Sequence, residues 1–353
     1  MSQKTILITG INGYLASNTG SAVLKAGHIL RGTCRSRERV TALLEGPWKQ
    51  YASQIEIAVV PDITETNAFD EAVKGVSAII HMAAPVISPE ITKASTQLIE
   101  PTIAGTRNLL NSALNYAGNQ LEIFVFTSSA AACIKPGAQP PYVYNDDSWN
   151  VTHPKIVERE GDNVSIFTSY PVAKIRAEKY VWSLYEKKLP FAIASICGSI
   201  ATGPPILLPQ SESEIPSTCK AVLDALRGKK VPGPQDHIAQ IAGAAPYSDI
   251  RDIAKIYLWC AENPKLADGQ RYLVVAGHGP QQAIYDILRE AYPERAEIIP
   301  KGDPAFRYNR DWTFDTDGVQ FDSSKVKNQV RLDFISYKKT ILDTAEALAP
   351  FWR

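Results

Sequence analysis

Cysteine is scarce in this chain and has no pattern. The five present (Cys34, Cys133, Cys197, Cys219, Cys260) are odd in number, scattered, and never spaced Cys-x-x-Cys. That argues against a disulfide framework and against a zinc site. The five histidines have no metal-ligand spacing either, so no metal is expected, and His81, at the end of an apolar run, reads as a hydrogen-bonded core group. Neither sign of charge is in excess, because 37 basic side chains balance 37 acidic ones. Neutrality removes the electrostatic warrant for binding nucleic acid or an anionic membrane. No apolar run comes near the roughly 18 residues of a membrane span, and MSQKTILITG leads into a short strand rather than a signal sequence. Internal repeats and low-complexity tracts are missing. The expectation is a cytoplasmic globular protein with a small-molecule partner, monomer or homodimer.

What the chain does have is apolar residues, 45% of 353, enough for a sizeable core and a prior of about two domains. Short apolar runs at 5–9, 28–34, 55–60, 77–81, 123–127 and 191–196 predict strands, and 13–25, 68–74, 98–116 and 170–187 predict helices between them. This alternation is that of a parallel sheet covered on both faces. It predicts an α/β fold, a Rossmann-type doubly wound parallel sheet with a smaller mixed α/β substrate lobe. After residue 196 the rhythm breaks into a Pro- and Ser-rich loop at 203–216. We therefore expect a dinucleotide-binding domain at 1–202, completed by about 249–278, and a substrate lobe from 203–248 and 279–353.

The first strand-to-helix turn reads Thr9-Gly10-Ile11-Asn12-Gly13-Tyr14-Leu15-Ala16. Gly10 permits a tight turn, Gly13 lets a pyrophosphate approach the backbone, and the helix N-terminus offers N–H groups and a positive dipole end. A NAD site usually places a carboxylate about 20 residues further on, for the ribose hydroxyls. Here the second strand ends Cys34-Arg35-Ser36-Arg37-Glu38-Arg39. A guanidinium at Arg35, with Arg39 one turn later, suits a 2′-phosphate, so NADP(H) is the expected cofactor. Asp62 and Ile63 follow the third strand and are expected at the adenine edge; an ordinary capping role for Asp62 is the alternative.

Tyr170-Pro171-Val172-Ala173-Lys174 puts a phenol and an ammonium at i and i+4 on one helix face. A composition like this gives about 0.9 such pairs by chance, but this is the only one in the chain. Thr168 or Ser169 is expected to cap the helix, with Pro171 in its first turn. The pair lies one crossover beyond Thr127-Ser128-Ser129-Ala130, at a strand end where open α/β sheets bind ligands. A phenol with an ordinary pKa near 10 is a poor acid–base group at neutral pH, and a neighbouring ammonium favours its ionised form.

These residues resemble the extended short-chain dehydrogenase/reductases, in the branch of plant dihydroflavonol 4-reductases and fungal methylglyoxal and aldehyde/ketone reductases. The likeness runs through TGINGYLA, GTCRSRERV, VVPDIT, IIHMAAP, PTIAGTRNLL, FVFTSSAAA, YPVAK and YSDIRDIA. It implies an NADPH-dependent carbonyl reductase with Ser129, Tyr170 and Lys174 as catalytic groups, Ser129 chosen over Ser128. It also implies cofactor contacts at Ala83, Pro85 and Ser199, and an apolar substrate wall at Val86, Ala130, Ile134, Phe167 and Ile200. Three positions depart from the pattern. Thr102 stands where many relatives have Asn, Gly198 where they usually have Pro, and the wall after the serine is small (Ala130, Ala131, Ala132). Sugar-nucleotide epimerase or dehydratase chemistry and a non-enzymatic dinucleotide sensor are the competing readings; Arg35 and the apolar wall count against the first, the joint presence of Ser129, Tyr170 and Lys174 against the second.

Overall fold

The computed structural model describes residues 2–85, 87, 90–230, 244–303 and 305–353. The six apolar runs and residues 270–274 form seven central strands: β1 (Thr5–Ile8), β2 (Ile29–Cys34), β3 (Ile55–Val59), β4 (Ala78–His81), β5 (Ile123–Thr127), β6 (Ala192–Gly198) and β7 (Gln270–Val274). They pair in the order β7-β6-β5-β4-β1-β2-β3, every pair parallel. The strand order reverses between β1 and β4, and the crevice at their carboxyl ends is where such sheets bind ligands.

Side chains alternate across the sheet with the period of two that a strand imposes. Ile6 and Ile8 enter the core under helices α1 (Tyr14–Lys25) and α4 (Ile250–Glu262), with Val23, Ile256 and Cys260. Leu7, Phe124 and Phe126 enter the opposite core, under α2 (Glu100–Tyr116) and α3 (Ile166–Tyr185). Near the carboxyl edge sits a second unit with its own core, including Leu223, Leu226, Ile284, Leu288, Ile341 and Trp352. Side-chain hydrogen bonds join it to the sheet. The Tyr14 hydroxyl donates to the Gly203 carbonyl at 2.7 Å, and Thr340 Oγ1 donates at 2.7 Å to buried Asp249, whose carboxylate also caps α4.

Two predicted helices differ from what forms. Residues 68–74 make successive turns rather than a helix, with i→i+3 bonds such as Asp70 N to Asn67 O. Left-handed backbone at Asn67 (φ 65°) and Gly75 (φ 73°) closes the segment at both ends, so there is no length for an α ladder to propagate. Its apolar residues, Phe69, Ala72 and Val73, are buried all the same. Helix α3 begins at Ile166, four residues before Tyr170, because Ser165 caps it by accepting from Phe167 N at 3.2 Å. Thr168 and Ser169 are therefore inside the helix, not at its cap, and Pro171 lies beyond its first turn.

His81 ends β4 at the strand-order reversal and is fully hydrogen-bonded. Thr9 Oγ1 accepts from Met82 N and Ala83 N at 2.9 Å each, which leaves its proton for His81 Nδ1 at 2.9 Å. His81 Nε2 then donates to Thr106 Oγ1 at 3.2 Å, which donates to Thr102 O at 2.8 Å. The network suits a neutral ring, and burial, aided by the charge of Lys174, pushes the imidazole down to about 3. Because an unfolded histidine titrates near 6.5, acid protonates the unfolded chain first and favours it. Denaturant unfolding at pH 5 should therefore show roughly 2 kcal/mol less stability from this group than at pH 7. His81→Gln should lose less than the parent over that interval, and an equal loss in both proteins would remove His81 as the cause.

Candidate active site

The phosphate end is built from backbone. Gly10 has φ 68°, and a Cβ there would lie 3.3 Å from Ala83. Gly13 precedes α1 in extended conformation with no side-chain cap and no acid in the first turn. The first amides of α1 are thus donors without an intrahelical partner, which suits an anion. Asn12 is exposed beside them, and Ala83 and Pro85 flank the crevice after β4, half-buried. The Tyr14 hydroxyl is taken up by the Gly203 carbonyl.

At the far edge Arg35 and Arg39 are exposed beyond β2, Arg39 within the single 3-10 turn Arg37–Val40. Asp62 accepts from Thr64 N at 2.8 Å and from Thr64 Oγ1 at 2.7 Å. Those bonds, with a smaller contribution from Arg35, hold its carboxyl below the usual range. Asp62 thus closes a local turn, not a helix cap, and stands near Arg35. Ile63 packs on α2 where Gly105 leaves room, since a Cβ at 105 would come within 2.7 Å of Ile63.

The structure brings Ser129, Tyr170 and Lys174 to one cavity of about 430 Å³. Ser129 starts the short turn Ala130–Ala132, its hydroxyl accepting from Ala131 N at 3.2 Å and facing the same cavity as the Tyr170 phenol. Ser128 behaves differently: its Oγ donates at 2.6 Å to Glu178, behind the sheet. Burial raises the Tyr170 phenol above its ordinary value, and the nearby Ser129 hydroxyl opposes that. Lys174 is not among the groups that shift the phenol. Its ammonium donates at 3.1 Å to the Thr127 carbonyl, and burial, partly offset by Glu178, pushes it down to about 8.

Ala130, Ile134, Phe167 and Ile200 line the same cavity, with Leu15 and Ser199; Val86 lies outside the described residues. Ala131 also faces it, whereas Ala132 is wholly buried in the core. Sequence reasoning missed His153, Ser217, Thr218, Pro246 and Tyr257, which reach the cavity from segments far apart in the chain. His153 Nδ1 is fixed by Asn150 Nδ2 at 2.9 Å. The departures have local causes. Thr102 Oγ1 donates back to Leu98 O at 2.6 Å, within the wide π-type turn Ser95–Ile99 that precedes α2. A Cβ on Gly198 would meet only Ile253, at 3.4 Å, so that position is roomy.

A parallel sheet with a bare helix N-terminus at its strand-order reversal defines a Rossmann-type dinucleotide-binding protein. The model of the NAD dependent epimerase/dehydratase family matches residues 6–276, and the chain belongs to that family. It is 29% identical over 352 residues to an uncharacterized oxidoreductase of Schizosaccharomyces pombe, covering 99% of this chain and 98% of that one. It is 28% identical over 356 residues to the NADPH-dependent methylglyoxal reductase GRE2 of Saccharomyces cerevisiae, covering 98% of each. The crystal structure of yeast methylglyoxal/isovaleraldehyde reductase Gre2 complexed with NADPH superposes with a TM-score of 0.84 at 26% identity, over 98% of each chain.

Proposed function

We infer that this chain is an NADPH-dependent carbonyl reductase, an oxidoreductase that converts a ketone or aldehyde to an alcohol. One observation carries the inference: Ser129, from the end of β5, and Tyr170 and Lys174, from α3, line one cavity of about 430 Å³. The bare amides of α1 and the turn at Gly10–Gly13 would hold the pyrophosphate, Arg35 with Arg39 the 2′-phosphate, and Asp62–Ile63 the adenine edge. NADPH, when bound, supplies the hydride. Ser129 orients the carbonyl oxygen by hydrogen bonding, and Tyr170 gives that oxygen its proton. A phenol that burial keeps protonated at neutral pH suits a donor. Lys174 serves the nicotinamide ribose and, one helical turn from Tyr170, keeps positive charge beside a phenol that has given up its proton.

The same reading assigns 1–202 and about 249–278 to the cofactor domain and 203–248 with 279–353 to the substrate lobe. Among the described residues no helix is long and apolar enough to cross a membrane, and we place the reaction in the cytoplasm on a small molecule. The substrate is a bulky apolar ketone. Ala130 and Ala131 leave space beside the reacting position, and Phe167, 47% exposed, stands at the rim. An apolar cavity gains about 25 cal/mol for each Å² it buries, which favours large aryl or alkyl groups over small polar aldehydes.

Three measurements check this. Arg35→Ala should weaken NADPH roughly ten- to a hundredfold, the loss of a charge-assisted contact, and leave NADH nearly unchanged; equal preference for both cofactors in the parent would overturn the assignment. Tyr170→Phe should almost abolish reduction while NADPH still binds, and ordinary turnover by that variant would sink the mechanism. Ala130→Phe should shift preference towards short substrates with cofactor affinity little changed. A parent that already prefers methylglyoxal-sized substrates would end the bulky-ketone reading.

A further inference from the structure

Behind the catalytic face lies a buried charge cluster that neither cofactor nor substrate binding requires. Glu178, one turn beyond Lys174 on α3, is fully buried. Its carboxylate accepts from Ser128 Oγ at 2.6 Å on the β5 side, from Ser195 Oγ at 2.6 Å on β6, and from Arg271 Nε at 2.8 Å on β7. Arg271 in turn donates to the carbonyls of Asp146 and Ser148 at 2.7 Å each and lies 4.0 Å over the ring of Trp149. A buried ion pair is weak evidence for stability, since apolar groups of similar volume often serve as well or better. This one, however, includes a helix neighbour of Lys174 and holds the residue before Ser129.

We propose that Glu178 is a positioning residue for the reduction: its carboxylate holds the serine turn through Ser128 and keeps a negative charge one helical turn from the Lys174 ammonium. This rests on the catalytic reading of Ser129, Tyr170 and Lys174. The other titratable groups near the ammonium are Tyr170 on α3, His81 on β4 and Cys197 on β6, with Tyr257 on α4, Cys133 after β5 and Arg271 on β7 beyond them. Burial keeps His81 uncharged and raises the Cys197 thiol and the Tyr257 phenol well above neutrality. Glu178 is therefore the anion that acts on Lys174 at neutral pH. Removing its charge makes the lysine easier to deprotonate.

The test is steady-state reduction of a ketone with NADPH across the neutral and alkaline range, alongside melting temperatures. Glu178→Gln keeps the shape and should lower kcat roughly ten- to a hundredfold with KM little changed. The alkaline limb of its pH profile should also move to lower pH. Glu178→Gln/Arg271→Met removes the stranded cation as well, so it should recover melting temperature while keeping both kinetic defects. Ser128→Ala, which leaves the ion pair intact, should lower kcat without moving the limb. Parental kcat and pH limb in Glu178→Gln overturn the proposal, as does a double variant that recovers both with its stability. If Glu178→Gln does not fold, the double variant and Ser128→Ala decide, and parental kcat in Ser128→Ala removes the hold on the turn. Tyr170→Phe in the same assay separates the two levels: full turnover there fails the catalytic reading itself, whereas an inactive Tyr170→Phe beside a parental Glu178→Gln fails only the role of Glu178.

Discussion

Lys174 carries an ammonium in a place that water barely reaches, and the polar contacts around it follow from that. Taking an ammonium out of water costs several kcal/mol unless other groups replace the solvent. The chain supplies the Thr127 carbonyl at the end of β5 and, one turn along α3, the carboxylate of Glu178. That carboxylate is itself buried and needs a cation, which Arg271 brings from β7, at the edge of the sheet. Arg271 then holds the carbonyls of Asp146 and Ser148, while the Asp146 side chain accepts from Leu273 N at 2.7 Å. A chain of charge and hydrogen bonds thus runs from the cavity to the sheet edge and pins α3, β5 and β7 in one register.

Much of this was legible in the sequence, and for physical reasons. Parallel strands covered on both faces are nearly continuous apolar runs, so 123–127 was predicted to the residue and the ends of the others missed by no more than two. The glycine turn and the Tyr-x-x-x-Lys pair are local, and a short spacing carries all the geometry each one needs. The segment 68–74 failed because its apolar pattern is satisfied by turns as well as by a helix. The start of α3 failed because three hydroxyl residues, Ser165, Thr168 and Ser169, compete as caps, and the backbone uses the first. Glu178 was invisible for a different reason. Its partners Ser195, Ser128 and Arg271 lie 17, 50 and 93 residues away, and nothing in the spacing marks such contacts.

The cavity shows the same division. Its floor comes from the ends of β5 and β6 and from α3, each legible as an element, and Ala130, Ile134 and Ile200 follow from the strand ends. Its roof includes Ser217, Thr218 and Pro246, from loops and short pieces whose place depends on how the second unit packs. Tyr14 links the two parts: its hydroxyl meets the Gly203 carbonyl at 2.7 Å, and Cys219 Sγ lies 3.5 Å from both oxygens. The turn expected to hold the pyrophosphate is therefore in hydrogen-bonded contact with the loop that leads into the substrate side.

The position of Thr102 sharpens the point about Lys174. The family resemblance implies a fourth polar group there, whereas here a short hydroxyl satisfies the carbonyl of Leu98 in the turn that precedes its helix. Through Thr102 O and Thr106 the polar chain from α2 continues to His81 and then to Thr9, at the phosphate turn. None of these bonds is made to the Lys174 ammonium, which donates to the Thr127 carbonyl instead. The polar support of Lys174 accordingly comes from α3 and β5, with Glu178 and Thr127, rather than from α2. The charge is held from that side because the anion that supports it is neutralised in turn, by Arg271 from the edge strand.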